Sequence, residues 1–145
     1  MIATASPVDE IRSLFAERGL RCTKQRIEIY QALAGTDTHP TAEQLHQLMQ
    51  DSCCPCISLA TVYNTLEALC RADLCRRIPV PGSGTRYDAA TDDHLHLITD
   101  DGAVVDVPSS LSRQLLDHIP QELVTELESA LGVRIDRVDV QLIAG

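Results

Sequence analysis

From residue 8 to residue 73 the apolar side chains recur at intervals of three and four, and Gly19, Gly35 and Pro55 cut the run. That punctuation restricts this half of the chain to a set of short helices. Val8, Ile11, Leu14 and Phe15 share one face of a first helix over residues 8–18. Thr23 can N-cap a second, with Ile27, Tyr30 and Leu33 inward and Gly35 as its stop. Thr41-x-x-Gln44 reads as a capping box opening a third helix, whose inner face would be Leu45, Leu48 and Met49. Ser58 caps a fourth, with Leu59, Val62, Leu66 and Leu69 inward. After Asp73 the pattern turns extended: residues 74–79 and 85–88 flank Pro81-Gly82-Ser83-Gly84, a hairpin signal. Short helices followed by a β-hairpin describe a winged helix-turn-helix.

A second unit follows. His94-Leu95-His96-Leu97-Ile98 alternates as a strand, Asp101-Gly102 is a tight turn, and Val104-Val105-Asp106-Val107 returns. Ser109 or Ser110 opens a helix, Pro120 suits the first turn of another and Gly132 closes it. Val138, Val140 and Leu142 alternate in a last strand. The fold class is α+β, with a winged-helix domain over 1–87, an α/β domain over 88–145, and a hinge at residues 87–92. With 3% aromatics and no Trp, aliphatic side chains must fill both cores.

The net charge of −9 argues at first against a nucleic-acid partner. Its distribution reverses that inference. Residues 1–87 balance nine Lys/Arg against nine Asp/Glu, whereas residues 88–145 set three against twelve. The acidity belongs to the second half, which must face away from phosphates or bind cations. No apolar run nears the roughly 20 residues that span a bilayer, and the N-terminal stretch has no basic leader. A cytoplasmic protein without a membrane partner is expected.

With Leu59, Val62, Leu66 and Leu69 inward, the fourth helix presents Ala60, Thr61, Tyr63, Asn64 and Glu67 outward. Small residues let a helix sit deep in a major groove, and Asn can pair bidentately with adenine. A plain solvated face has the same composition. The helix-turn-helix context, with Arg76, Arg77 and Arg86 on the wing, weighs toward DNA. His94 and His96, two apart on a strand, point to one face. Alone they suit a polar strand face better than a metal site. With His39, Asp88 and Asp106 the set offers three imidazoles and two carboxylates, which suits Fe²⁺, Mn²⁺ or Zn²⁺ rather than Ca²⁺.

Four ordered stretches carry a resemblance: residues 19–26 (GLRCTKQR), 39–43 (HPTAE), 58–66 (SLATVYNTL), and Arg86-Tyr87-Asp88 followed by His94-Leu95-His96. Together they resemble the ferric uptake regulator family, from about residue 10 to the end. The resemblance implies a homodimer in which each winged helix reads half of an inverted-repeat operator in double-stranded DNA. Tyr63 would lie at the bases and Arg21 in the minor groove, with Ser58, Thr61, Asn64, Arg76 and Arg77 as further DNA contacts. It also makes His39, Asp88, His94, His96 and Asp106 the regulatory metal site. Asp at both carboxylate positions resembles the peroxide-sensing or iron-response branches, with Fe²⁺ or Mn²⁺ as metal and Zn²⁺ able to enter purified protein. The family's precedent for peroxide release is oxidation of a ligand His.

The chain departs from the family pattern in two places. No cysteine follows Cys75, so the usual structural zinc of four cysteines is not expected; Thr99-Asp100-Asp101-Gly102 stands where its first pair would be. A second metal site also lacks ligands, with Asp93, Leu95 and Arg137 in their places. Cys53-Cys54-Pro55-Cys56 is unusual, and reads as an inert loop, a thiol switch, or a Zn²⁺ or haem ligand set. Cys22, Cys70 and Cys75 read as buried small hydrophobes. No nucleophile with its base and no phosphate loop is evident, so a regulator rather than an enzyme is expected. The competing readings are a haem- or thiol-responsive regulator, a metal-buffering protein and a redox enzyme.

Overall fold

Each of the first four helices begins where a side chain can take up an orphan backbone N–H. The computed structural model describes residues 5–52, 54–89 and 94–145. Helix α1 (Pro7–Glu17) is capped by Ser6, whose hydroxyl accepts from Asp9 N–H at 3.2 Å. It ends as Gly19, at φ +66°, lets the Leu20 N–H return to the Phe15 carbonyl. Thr23 caps α2 (Lys24–Ala34) through Arg26 N–H. The capping box of α3 (Ala42–Ser52) is reciprocal: Gln44 N–H donates to the Thr41 hydroxyl at 3.2 Å and Thr41 N–H to the Gln44 amide oxygen at 3.0 Å. Ser58 caps α4 (Leu59–Arg71) through Thr61 N–H.

The chain divides into two compact units, residues 1–91 and 92–145. Asp88 falls within the first unit, where it stands opposite Arg76 in the wing. That wing is β1 (Arg76–Val80) against antiparallel β2 (Gly84–Asp88), running to Val80 opposite Gly84. The first core gathers Phe15, Ile29, Leu33, Leu45, Met49, Val62, Leu66 and Leu69, all fully buried. Leu48, expected inward, is instead 46% exposed; Ala42, Leu45 and Met49 define the inner stripe of α3. In α2, Ile29 takes a core position that was not foreseen, while Tyr30 packs edge-on against Phe15 at 5.6 Å.

In the second unit β3 (His96–Ile98) lies between antiparallel β4 (Val104–Asp106) and parallel β5 (Gln141–Ile143). Helices α5 (Ser109–Asp117) and α6 (Gln121–Leu131) connect β4 to β5. Both strands expected to be longer are short: β3 begins at His96, not His94, and β5 at Gln141, not Val138. The cause is mutual, since a three-residue central strand offers three rungs to each neighbour. Neither serine caps α5 and Pro120 stands one residue ahead of α6; the N-cap positions are Pro108 and Pro120, without a side-chain cap. Buried Ser112 ties the unit together, accepting from Leu95 N–H at 3.0 Å and donating to the Val107 carbonyl.

Candidate metal and nucleic-acid sites

In the first unit His39 and Asp88 meet, with Nε2 3.3 Å from Oδ2 and both side chains nearly inaccessible. His39 precedes α3 at φ +50°, in the left-handed region that few side chains adopt. Neighbours hold it there. Arg86 donates to the His39 carbonyl at 3.3 Å, and the Tyr87 N–H donates to the Pro40 carbonyl at 3.0 Å. Arg86, expected on the DNA face of the wing, is thus half-buried as a brace for the His39 turn, with a further contact to Gln44 at 3.5 Å.

In the second unit His94 and His96 converge on a single carboxylate oxygen. Their Nε2 atoms lie 3.1 and 3.3 Å from Asp106 Oδ1, and their rings meet edge to face at 4.6 Å. Register positions them: His96 stands opposite Asp106 on the β3–β4 ladder, and His94 shares its face two residues earlier. Both imidazoles are largely buried, while Asp106 is half exposed. Two ring nitrogens and a carboxylate within 4.8 Å of one another form a donor set of the kind a divalent transition cation takes. The loop ahead of β4 closes without cysteine: the Thr99 hydroxyl donates to Asp101, and Ala103 N–H donates back to Thr99. The Thr99 contact holds the Asp101 carboxyl below the usual carboxylate range.

The outward face of α4 is as expected. Ala60, Tyr63, Asn64 and Glu67 are exposed, Thr61 is half-exposed, and Thr65 adds to the buried stripe. Arg21, Arg26, Thr61 and Asn64 line a shallow cavity of about 240 Å³ together with the N-terminal turn of α2. Arg21 is exposed, and its carbonyl accepts from the Arg26 guanidinium at 3.0 Å. On the wing Arg77 is exposed, with its guanidinium near the phenol of Tyr87, while Arg76 is half-buried.

Sequence reasoning missed Glu43. The Tyr63 hydroxyl donates to its carboxylate, which pulls Glu43 below the usual carboxylate range and pushes Tyr63 above the usual phenol range. Residues 43 and 63 belong to different helices, and no spacing rule links them. Of the cysteine cluster, Cys54 is buried in the first core and Cys56 is exposed; Cys53 lies outside the described residues, as do Asp93 and residues 90–92 of the expected hinge.

Residues 17–131 match the profile of the Ferric uptake regulator family. The peroxide-responsive repressor PerR of Staphylococcus saprophyticus is 36% identical over 99 residues, covering 68% of this chain and 66% of that protein. The peroxide operon regulator of Bacillus subtilis is 32% identical over 103 residues, 70% of each chain. This chain thus spans about two thirds of those relatives' length. Among solved structures, the ferric uptake regulator from Pseudomonas aeruginosa with manganese superposes with a TM-score of 0.69 at 24% identity, over 92% of this chain and 95% of that one. A zinc-bound manganese uptake regulator superposes with a TM-score of 0.64 at 26% identity, over 92% and 96%.

Proposed function

The chain belongs to the ferric uptake regulator family, and from that premise we propose that it is a metal-dependent, DNA-binding transcriptional repressor of peroxide-stress or iron-homeostasis genes. It acts in the cytoplasm by binding rather than by catalysis. The convergence of His94 and His96 on one oxygen of Asp106 carries the metal half of this reading. Buried imidazoles aimed at a carboxylate are costly as a mere polar surface and apt as a ligand set.

By their match to the family's regulatory motif, His39, Asp88, His94, His96 and Asp106 would be the residues that hold the metal. Fe²⁺ or Mn²⁺ held there would supply a positive centre that neutralises the carboxylates of Asp88 and Asp106; Zn²⁺ suits the same donors. His39 leads directly into α3 and Asp88 ends the wing, so ligation there would restrain the elements that flank α4. A conformation that binds DNA would be selected by metal to the extent that it binds the metal more tightly. Thr61, Tyr63 and Asn64 read bases in the major groove from the Ser58-capped helix. Arg76 and Arg77 contact phosphates, and Arg21 reaches the minor groove.

Two copies are needed to read an inverted repeat. The second unit offers the surface: Leu123, Leu127 and Leu131 form an exposed stripe along α6, and Leu111 and Leu115 are exposed on α5. Such leucines stand four residues apart on one helix face, where a partner can cover them. Both curated relatives are peroxide regulators by name, and Asp stands at both carboxylate positions; together these favour peroxide-stress genes over iron uptake.

The test is the affinity of metal-stripped protein for a labelled inverted-repeat duplex, titrated with Mn²⁺ and with anaerobic Fe²⁺. Tightening by about tenfold, roughly 1.4 kcal/mol of coupling, is expected. Equal affinity with and without metal would remove the five-residue site as the switch.

A further inference from the structure

Cys70 lies in the last turn of α4 and Cys75 one residue before β1. The chain reverses between them: Asp73 adopts φ +62° and the Leu74 N–H returns to the Leu69 carbonyl at 2.9 Å. This reversal sets the two thiols beside each other. Cys75 is 3% exposed, with its sulfur 3.7 Å from the Arg76 carbonyl and within reach of the Asp88 backbone N–H. Cys70 is half-buried, and the Arg77 guanidinium lies near it. Neither cysteine is among the proposed metal ligands or the residues of the reading face.

We propose that Cys70 and Cys75 form a dithiol site that hydrogen peroxide oxidises to an intramolecular disulfide, tying the end of the reading helix to the start of the wing and weakening DNA binding without any metal chemistry. Cys70 is the attacking sulfur, since contact with Cys75 and then the charge of Arg77 hold it below the usual thiol range. Its thiolate attacks one peroxide oxygen and the O–O bond breaks. Cys70 becomes a sulfenic acid, and the departing hydroxide takes up the proton that the thiol gave, leaving as water. The Cys75 sulfur then attacks the Cys70 sulfur. The S–O bond breaks, and hydroxide leaves with the Cys75 proton as a second water. Two thiols are oxidised and one peroxide is reduced to two waters. Sulfurs in a disulfide stand about 2.05 Å apart, closer than any thiol contact. Cys75 must therefore withdraw from the Arg76 carbonyl and the Asp88 amide, and the Arg76–Asp88 rung that starts the wing shifts with it.

The experiment treats the full-length protein, stripped of metal and then loaded with Mn²⁺, with hydrogen peroxide. Disulfides are mapped by mass spectrometry and duplex affinity is measured in parallel. The expected result is a 70–75 bridge in the wild type and in the combined Cys53→Ser, Cys54→Ser, Cys56→Ser variant. Operator affinity should fall by about tenfold, within the usual range for coupled sites, and dithiothreitol should restore it. Cys70→Ser and Cys75→Ala should form no bridge and keep their affinity in peroxide; half-buried Cys70 makes the first variant the safer one to fold. A bridge between other cysteines, no bridge, a bridge with unchanged affinity, or loss of affinity persisting in Cys70→Ser would each overturn the proposal. Failure of the unoxidised Mn²⁺ protein to bind the duplex would count against the proposed function alone, because the bridge is read by mass.

Discussion

Asp106 receives both His94 and His96 on one oxygen, so it is the residue whose loss should tell most about the metal. Asp106→Ala is expected to weaken Mn²⁺ binding in calorimetry by at least the ~10–100-fold that loss of groups merely supporting a ligand costs, while its exposure spares the fold. His39 needs a different substitution. At φ +50° an alanine would remove the imidazole and also strain the backbone, whereas Asn tolerates that conformation. His39→Asn therefore isolates the loss of the ligand. At the reading face, Tyr63→Phe should raise the Glu43 pKa toward its ordinary value, because the phenol is the largest cause of its depression. The sign follows: a depressed carboxylate adds stability above its unfolded pKa, and that contribution fades as pH falls through the folded one. An NMR titration of the Glu43 carboxyl through the acid range would check this, with no shift on substitution counting against the contact.

Among the elements, the four N-terminal helices were legible because their signals are local. A capping residue, a 3.6-residue stripe and a stop lie within a dozen positions of one another, and Ser58 and the Thr41–Gln44 box behave as their chemistry dictates. Ser58→Ala should cost about 1 kcal/mol, a fall of about 4–8 °C in the melting temperature of a domain this size, and should also loosen the first turn of the reading helix. What local signals could not convey depends on partners far along the chain. The inner stripe of α3 excludes Leu48 because of where α4 packs, β5 is short because β3 is, and Arg86 turns to the His39 carbonyl rather than to phosphate. The pairing of Cys70 with Cys75 escaped notice because it rests on one left-handed residue, Asp73. On the wing, Arg77→Ala should lower affinity for all duplexes alike and flatten the logarithmic salt dependence by about one unit. A change confined to one sequence would instead place Arg77 at a base.

For the molecule as a whole, charge and leucines are segregated in the same direction. The second half carries the net −9, and of the large apolar side chains exposed among the described residues, Leu48 and Tyr63 alone belong to the first unit. The family resemblance, spread over four stretches, supplied the domain order and the five proposed ligand positions; composition alone would have pointed away from DNA. Leu127→Glu should convert the dimer to monomer in sedimentation while leaving metal-free first-unit folding intact. A dimer that survives would direct attention to another surface. Buried Ser112 and a three-stranded sheet make a slender core for the second unit, with its leucines turned outward. A unit that completes its hydrophobic burial only against a second copy has a stability that depends on how many copies are present. Its melting temperature should climb with protein concentration, and at low abundance in a cell dilution alone would thin the population able to grip an operator.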